Sequence, residues 1–266
     1  MCESNVYICR GGQEELLMEK VDRIIPGDDA TIFLESIFGE RKVVKGKIRE
    51  MELVHHRIIL DEIKEPTTSR ELENWLVPGT DHGHFHEGEE VVLKLHKGYN
   101  MHPAEEAEFS SLQAFVVNEG IAAEVEIKDH HGVKEINLDQ ESDGLVQVYV
   151  QENGAKKLFS KIVMEVGHHH HHGLEPAGLP LEIIPCNFSH ARMGENYEVQ
   201  VLEAGNPLKG AEVRVTYSST LNHDYPHRLT ANEEGKAKIF LSAKGNYLFS
   251  VSNADIISTF TLVKSF

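Results

Sequence analysis

Cysteine, positive charge and long apolar runs are all scarce in this chain. Cysteine occurs three times in 266 residues, at Cys2, Cys9 and Cys186. Three is too few for a disulfide framework and suits a reducing compartment. Lysine and arginine number 26 against 43 aspartates and glutamates, for a formal net charge of −17. A surface this acidic repels nucleic-acid phosphates and anionic lipid, which sets both aside as partners and favours a cation as ligand. No run of about 18 apolar residues is present, so no transmembrane helix is expected. The opening residues Met1-Cys2-Glu3-Ser4-Asn5 carry neither a basic nor an apolar signal region, and a cytoplasmic location is expected. The signatures of nucleophilic and nucleotide-dependent enzymes are missing as well: no G-x-S-x-G, no phosphate loop, no dinucleotide fingerprint and no C-x-x-C. The chain therefore reads as a binding protein, not an enzyme.

Histidine, in contrast, is plentiful. There are 17, and they are clustered. The first cluster, Asp81-His82-Gly83-His84-Phe85-His86-Glu87, alternates three imidazoles, which share one side of an extended chain or wrap one ion through Gly83. The second is His168, His169, His170, His171 and His172, between Gly167 and Gly173. Its internal position and length of five argue against an affinity tag, and such a run takes Ni(II), Co(II), Cu(II) or Zn(II) with little discrimination. Isolated histidines (His102, His130, His131, His190, His223 and His227) fall in loops, and His55-His56 precede a strand. Cys2 adds a different donor. Removal of Met1 would leave a free amine, a thiol and backbone amides on one chain end, a strong-field set that favours square-planar Ni(II) over tetrahedral Zn(II).

The strand pattern gives an all-β fold. Residues 1–65 hold short β-rich runs at 5–9, 31–38, 42–48 and 57–60, separated by turns at Gly11-Gly12, 26–29 and Gly39. Four or five strands in so short a segment predict a small, partly open barrel that a partner subunit would help to stabilise. Residues 66–81 read as a linker with a possible short helix over 69–76, capped by Ser69 and ended by Pro78-Gly79. Beyond it lies an internal repeat: 141–154 is echoed by 232–245, with Gly144 and Gly154 answered by Gly235 and Gly245, and Leu158-Phe159-Ser160 by Leu248-Phe249-Ser250. Alternation at Val146, Val148 and Val150, and at Ala237, Ile239 and Leu241, marks half-buried strands. Two tandem β-sandwiches are expected, at 82–166 and 174–266, with residues 167–173 as a histidine-rich linker. The second histidine cluster then sits at the same place relative to the second copy as the first does to the first, and His102 with His190, and His130 and His131 with His223 and His227, fall in corresponding loops.

Two family resemblances add to these readings. Residues 1–65 resemble the CooT-type small nickel-binding proteins, through Met1-Cys2-Glu3-Ser4-Asn5-Val6-Tyr7, Glu15-Leu16-Leu17-Met18-Glu19-Lys20-Val21-Asp22, Ile37-Phe38-Gly39-Glu40, Val54-His55-His56-Arg57-Ile58 and Leu60. That resemblance implies a homodimeric Sm/SH3-like barrel holding Ni(II) through Cys2, and a role in cytoplasmic nickel handling for carbon monoxide dehydrogenase. Residues 82–266 resemble NikK-like components of nickel and cobalt transporters, through His82-Gly83-His84, the run 88–95, the run 178–185 and Gly210-Ala211-Glu212-Val213. It implies immunoglobulin-like sandwiches with metal-binding histidines. Those proteins are exported, and this chain lacks their signal. A nickel chaperone or store is the expected function. A metal-responsive protein that docks a transporter or enzyme is the alternative, and a small-barrel RNA binder a further one, against which the acidity argues.

Overall fold

The computed structural model describes residues 3–10, 13–27, 30–63, 71–80, 84–86, 88–104, 107–118, 120–138, 144–167, 174–186, 194–243 and 245–263. The fold is all-β, with no helix among the described residues. It divides into two compact units, one of residues 1–69 and 219–227, the other of residues 70–218 and 228–266.

The first unit is a closed five-stranded barrel of β1 (Ser4–Arg10), β2 (Gln13–Pro26), β3 (Thr31–Ser36), β4 (Arg41–Glu52) and β5 (Arg57–Glu62). Neighbours pair antiparallel, and the parallel pairing of β1 with β5 closes the ring. Alternate residues point inward: Val6, Ile8, Met18, Val21, Ile32, Leu34, Ile58 and Leu60 fill the interior. The barrel is closed where a partly open one was expected. The difference is β2, a 14-residue strand whose Glu-Glu-Leu-Leu-Met-Glu-Lys sequence carries no period-two pattern. Only Met18 and Val21 of β2 are buried, and register shifts against β1 and β3 bend it around the ring. Gly46 marks another bend: a Cβ there would lie 2.7 Å from the Asp61 carbonyl oxygen, so a side chain would push β4 off β5. Beyond Gly46 the β5 side is continued only by the Ile63 N–H, which donates to the Lys45 carbonyl at 3.0 Å, so the β4 stretch from Arg41 to Val44 is paired within the barrel by β3 alone. Residues 219–227 cover it. The Val43 N–H donates to Asn222 Oδ1 at 2.9 Å, Asn222 Nδ2 donates to the Val43 carbonyl, and the Leu221 N–H donates to the Arg41 carbonyl at 3.2 Å.

The second unit contains β6 (Glu73–Pro78), β7 (His84–Phe85), β8 (Val92–Tyr99), β9 (His102–Pro103), β10 (Ser111–Asn118), β11 (Ile121–Val125), β12 (Ile127–His130), β13 (Val133–Asn137), β14 (Gly144–Asn153) and β15 (Lys157–Val166). It continues with β16 (Leu181–Pro185), β17 (Asn196–Glu203), β18 (Asn206–Pro207), β19 (Glu212–Tyr217), β20 (His227–Thr230), β21 (Lys236–Phe240), β22 (Tyr247–Asn253) and β23 (Ile256–Leu262). One large sheet runs β11-β10-β14-β15-β23-β22-β19-β20, with β7 added beside β15. A second sheet, β12-β13-β8-β6 with β9 on β8, shares a core with the first half of it, built from Leu76, Phe85, Leu93, Leu95, Ile136, Val146, Val148, Val150, Ile162 and Met164. A third, β16-β17-β18 with β21 on β17, packs on the other half, where the Tyr197 and Phe249 rings lie 5.9 Å apart. Strands from 82–166 and from 174–266 thus join in one sheet, through the parallel pairing of β15 with β23.

Two local readings need correction. The helix considered over 69–76 is instead strand β6, with residues 69 and 70 outside the described residues. Leu72, Trp75 and Leu76 have helical spacing, yet Leu72 is exposed, whereas Glu73, Asn74, Trp75 and Leu76 are all buried. A run buried on both faces is a strand covered by other layers: β6 ends the second sheet beside β8 and packs against β15 and β23. The repeat also does not map onto equivalent pairings. β14 forms a hairpin with β15, but β21 leaves for the third sheet, and the echoed Leu-Phe-Ser triplets lie in β15 and β22, with β23 between them.

Candidate metal centre

Strand β1 begins beside the β4–β5 turn. Asn5 stands opposite Arg57 in the β1–β5 ladder, and its N–H donates to the His56 carbonyl at 2.7 Å. Cys2 itself lies outside the described residues, three positions before that anchor. His55 and His56 are exposed in the turn, His56 with φ 53°, and His55 Nδ1 lies 3.8 Å from Glu52 Oε2. The same turn exposes Leu53 and Val54, at 72% and 87% of their surface, an apolar pair open to a partner.

The other cysteines have a different character. Cys9 is buried in β1. Cys186 follows β16, and burial first, then the nearby Glu198 carboxylate, pushes its thiol up to about 11. Cys186 therefore offers a thiolate at neutral pH less readily than an ordinary thiol does.

His84, the middle member of the alternating cluster, lies on β7. This two-residue strand runs parallel to the end of β15, with His84 opposite Glu165 and Phe85 opposite Val166. The ladder continues one step, because the Gly167 N–H donates to the Phe85 carbonyl at 2.8 Å. Phe85 is 1% exposed and anchors the strand in the core. His86 is exposed in a tight turn, where its N–H donates to Glu89 Oε2 at 2.9 Å and the Glu89 N–H returns to its carbonyl at 3.0 Å. His82 and the run His168 to His172 lie outside the described residues. The segment after that run is tied down: Gln147 Nε2 donates to the Glu175 carbonyl at 2.8 Å, and Glu182 accepts the N–H groups of Ala177, Gly178 and Leu179.

The remaining histidines are dispersed. His102 is exposed on β9. His130 and His131 form the tip of the β12–β13 hairpin, their rings 4.6 Å apart, with His130 Nδ1 3.4 Å from Glu135 Oε2. His223 is exposed in the 219–227 segment of the first unit and lines a cavity of about 460 Å³ with Arg10, Lys42, Lys45 and Asp224. His227 is buried. His130 and His131 therefore occupy a hairpin of the second unit and His223 a barrel-capping loop of the first. His190 lies outside the described residues. Among the described residues no three histidine, cysteine, aspartate or glutamate side chains are grouped to hold a metal ion. His96, on β8, escaped notice in the sequence because it stands alone; it stacks on Trp75 with ring centroids 5.7 Å apart. Burial, then the charge of Lys94, holds the half-buried imidazole below its ordinary range.

Comparison with known proteins agrees with the barrel. Residues 1–61 match the family model of the CO dehydrogenase accessory protein CooT, and residues 151–255 match a domain of unknown function, DUF4198. The CooT protein of Carboxydothermus hydrogenoformans is 48% identical over 24% of this chain and 100% of its own, with a TM-score of 0.22. The fibronectin(III)-like modules of Clostridium thermocellum CbhA are 8% identical, covering 71% of this chain and 94% of their own, with a TM-score of 0.22. Salmonella alpha-2-macroglobulin is 10% identical, covering 87% of this chain and 17% of its own, with a TM-score of 0.27. No curated protein matches the chain. Through residues 1–61, at 48% identity along the whole of a solved CooT chain, this protein belongs to the CooT family.

Proposed function

We propose that this is a cytoplasmic nickel-binding accessory protein, a chaperone or store that hands Ni(II) to a nickel enzyme such as carbon monoxide dehydrogenase. The match of residues 1–61 to a CO dehydrogenase accessory protein carries the proposal. Cys2 is its first ligand: the terminal amine, thiolate and intervening amides make a planar donor set that Ni(II) accepts and d¹⁰ Zn(II) does not reward. His55 and His56, in the turn whose His56 carbonyl accepts the Asn5 N–H, are available as further donors. The histidine clusters and loops of the second unit (His82, His84, His86, His102, His130, His131, the run His168 to His172 and His190), with His223 and His227, hold additional ions in reserve. The excess of 43 acidic over 26 basic residues favours cation capture. The small barrel buries one modest core and exposes Leu53 and Val54, which supports a homodimer through residues 1–65. The NikK-like resemblance of residues 82–266 makes a nickel or cobalt transporter a second client.

Protein purified without a metal-affinity column tests this. Elemental analysis should find nickel, and the loaded chain should restore activity to apo carbon monoxide dehydrogenase faster than the same concentration of free Ni(II) does. A metal-free chain that neither binds Ni(II) nor donates it to the enzyme contradicts the proposal.

A further inference from the structure

The inward-facing positions of the barrel change character at one end. On β1 they run Val6, Ile8, Arg10 and on β5 Ile58, Leu60, Glu62, with Ile8 paired to Leu60. On β4, Val44 stands opposite Ile32 and Lys42 opposite Leu34, both interior residues. Opposed residues share a face of the sheet, and alternate residues along a strand repeat it. Arg10, Lys42 and Glu62 therefore belong to the inner face, beyond the last apolar layer. With Ile8, Val44 and residues 221–226 they line the cavity of about 460 Å³, all of it within the first unit. Apolar walls with a few charged groups are the composition of a small-molecule site, and barrel mouths are common places for one.

The charges in this mouth do not pair off. Arg10 is already held, because its Nε donates to Glu62 Oε1 at 2.8 Å and its Nη1 to Glu15 Oε2 at 2.9 Å. Asp224 Oδ1 accepts the Tyr225 N–H at 2.7 Å. Lys42 is half-buried, yet no carboxylate among the described residues pairs with it. Burial first, then the like charge of Arg10, lowers its pKa. An ammonium drawn partly out of water beside another cation is unfavourable unless an anion joins it. It stands so in a chain with 43 acidic residues.

We infer that this barrel mouth binds a small organic anion, its carboxylate or phosphate group on the Lys42 ammonium and its apolar part against Ile8, Val44 and Tyr225. A charge-assisted hydrogen bond from Lys42 to an oxyanion supplies the missing counter-charge. Tyr225, 3% exposed, and Val44 give the body of the ligand an apolar wall. The site is independent of Cys2, which precedes one end of β1 while Arg10 closes the other, about 20 Å along an extended strand.

The experiment uses the untagged full-length chain in chelator, with sodium benzoate as the organic probe and sodium phosphate as the inorganic one, each against sodium chloride at equal ionic strength. Lysines are trace-labelled with acetic anhydride and read by peptide mass analysis. Millimolar benzoate should lower labelling of Lys42 several-fold and leave Lys47, exposed on the same strand, unchanged. Calorimetric titration should give saturable binding of benzoate, tighter than that of phosphate because only benzoate uses the apolar wall. Lys42→Met should weaken it by about tenfold or more, the worth of a hydrogen bond to a charged group, while Lys47→Met should not. Three results overturn the inference: Lys42 labelling that neither probe changes beyond sodium chloride, phosphate binding as tightly as benzoate, or equal losses from Lys42→Met and Lys47→Met. The labelling needs no substitution, so it decides the matter even where Lys42→Met fails to fold.

Discussion

Replacing Glu182 with glutamine removes a buried negative charge from the middle of the second unit. Lys161 and Glu182 are 2% and 1% exposed, and Lys161 Nζ donates to Glu182 Oε1 at 2.6 Å. The same carboxylate accepts three backbone N–H groups from Ala177 to Leu179. A glutamine keeps one carbonyl oxygen where two oxygens served four donors, and it leaves the ammonium without a counter-charge. Breaking a buried pair in this way costs about 3–5 kcal/mol. The cost has a ceiling, because Lys161 can shed its proton instead. Burial already lowers its pKa from the ordinary 10.5, and deprotonation at pH 7 costs about 5 kcal/mol at roughly 1.4 kcal/mol per pH unit. That ceiling carries a pH signature. A lysine that is neutral when folded and protonated when unfolded binds fewer protons in the native state, so stability rises with pH up to the unfolded pKa. The deficit of Glu182→Gln should therefore shrink between pH 7 and pH 9, by up to about 1.4 kcal/mol per unit. Urea denaturation at both pH values reads it. Adding Lys161→Met should recover part of the loss, since it removes the stranded charge. A deficit below about 1 kcal/mol at pH 7, or one that grows with pH, refutes the reasoning.

Other consequences are simpler to check. Leu34→Ala empties a fully buried position of the barrel and should cost the first unit about 2–5 kcal/mol in denaturant unfolding followed by circular dichroism. His96 has a folded pKa held below its ordinary 6.5. The stability it leaves intact above that value should decline as pH falls through it, and His96→Phe should flatten the decline. Trp75 is the chain's one tryptophan and stacks on His96, so its fluorescence reports the protonation directly. Cys186, pushed up to about 11, should resist iodoacetamide at pH 8 in the folded chain and react on unfolding, as peptide mass analysis would reveal.

Much of the fold could be read from residue pattern, and the misses have physical causes. Val146, Val148 and Val150 alternate and are all buried in β14, but Gln147 and Tyr149 between them are buried too. The strand is covered on both faces and not half-buried as its alternation suggested. β1 and β3 to β5 were legible because β-branched and aromatic residues fill them between clear turns. β2 was not, because Glu14, Glu15 and Glu19 interrupt any apolar pattern on a strand that is mostly exposed. β6 misled for the opposite reason: Trp75 and Leu76 are packed from both faces, and a short apolar run has no period of its own. Partner choice was the largest gap. The parallel pairings of β7 and β23 with β15 join segments about 80 and 100 residues apart, and no local signal encodes them. The histidine clusters were visible as composition, but the pairing that sets His84 of β7 opposite Glu165 of β15 was not.

The central claim is that a thiolate at the amino terminus selects nickel. Its most direct test is a Ni(II) titration of the full-length chain and of Cys2→Ser, followed by near-ultraviolet absorption between about pH 6 and pH 8, the range over which metal binding must displace protons from thiol, amine and amide. The parent should develop a thiolate-to-nickel charge-transfer band that strengthens with pH, and Cys9→Ser and Cys186→Ser should keep it. Cys2→Ser should lose it. A band and affinity that survive Cys2→Ser would contradict the account and leave the histidines as the metal ligands.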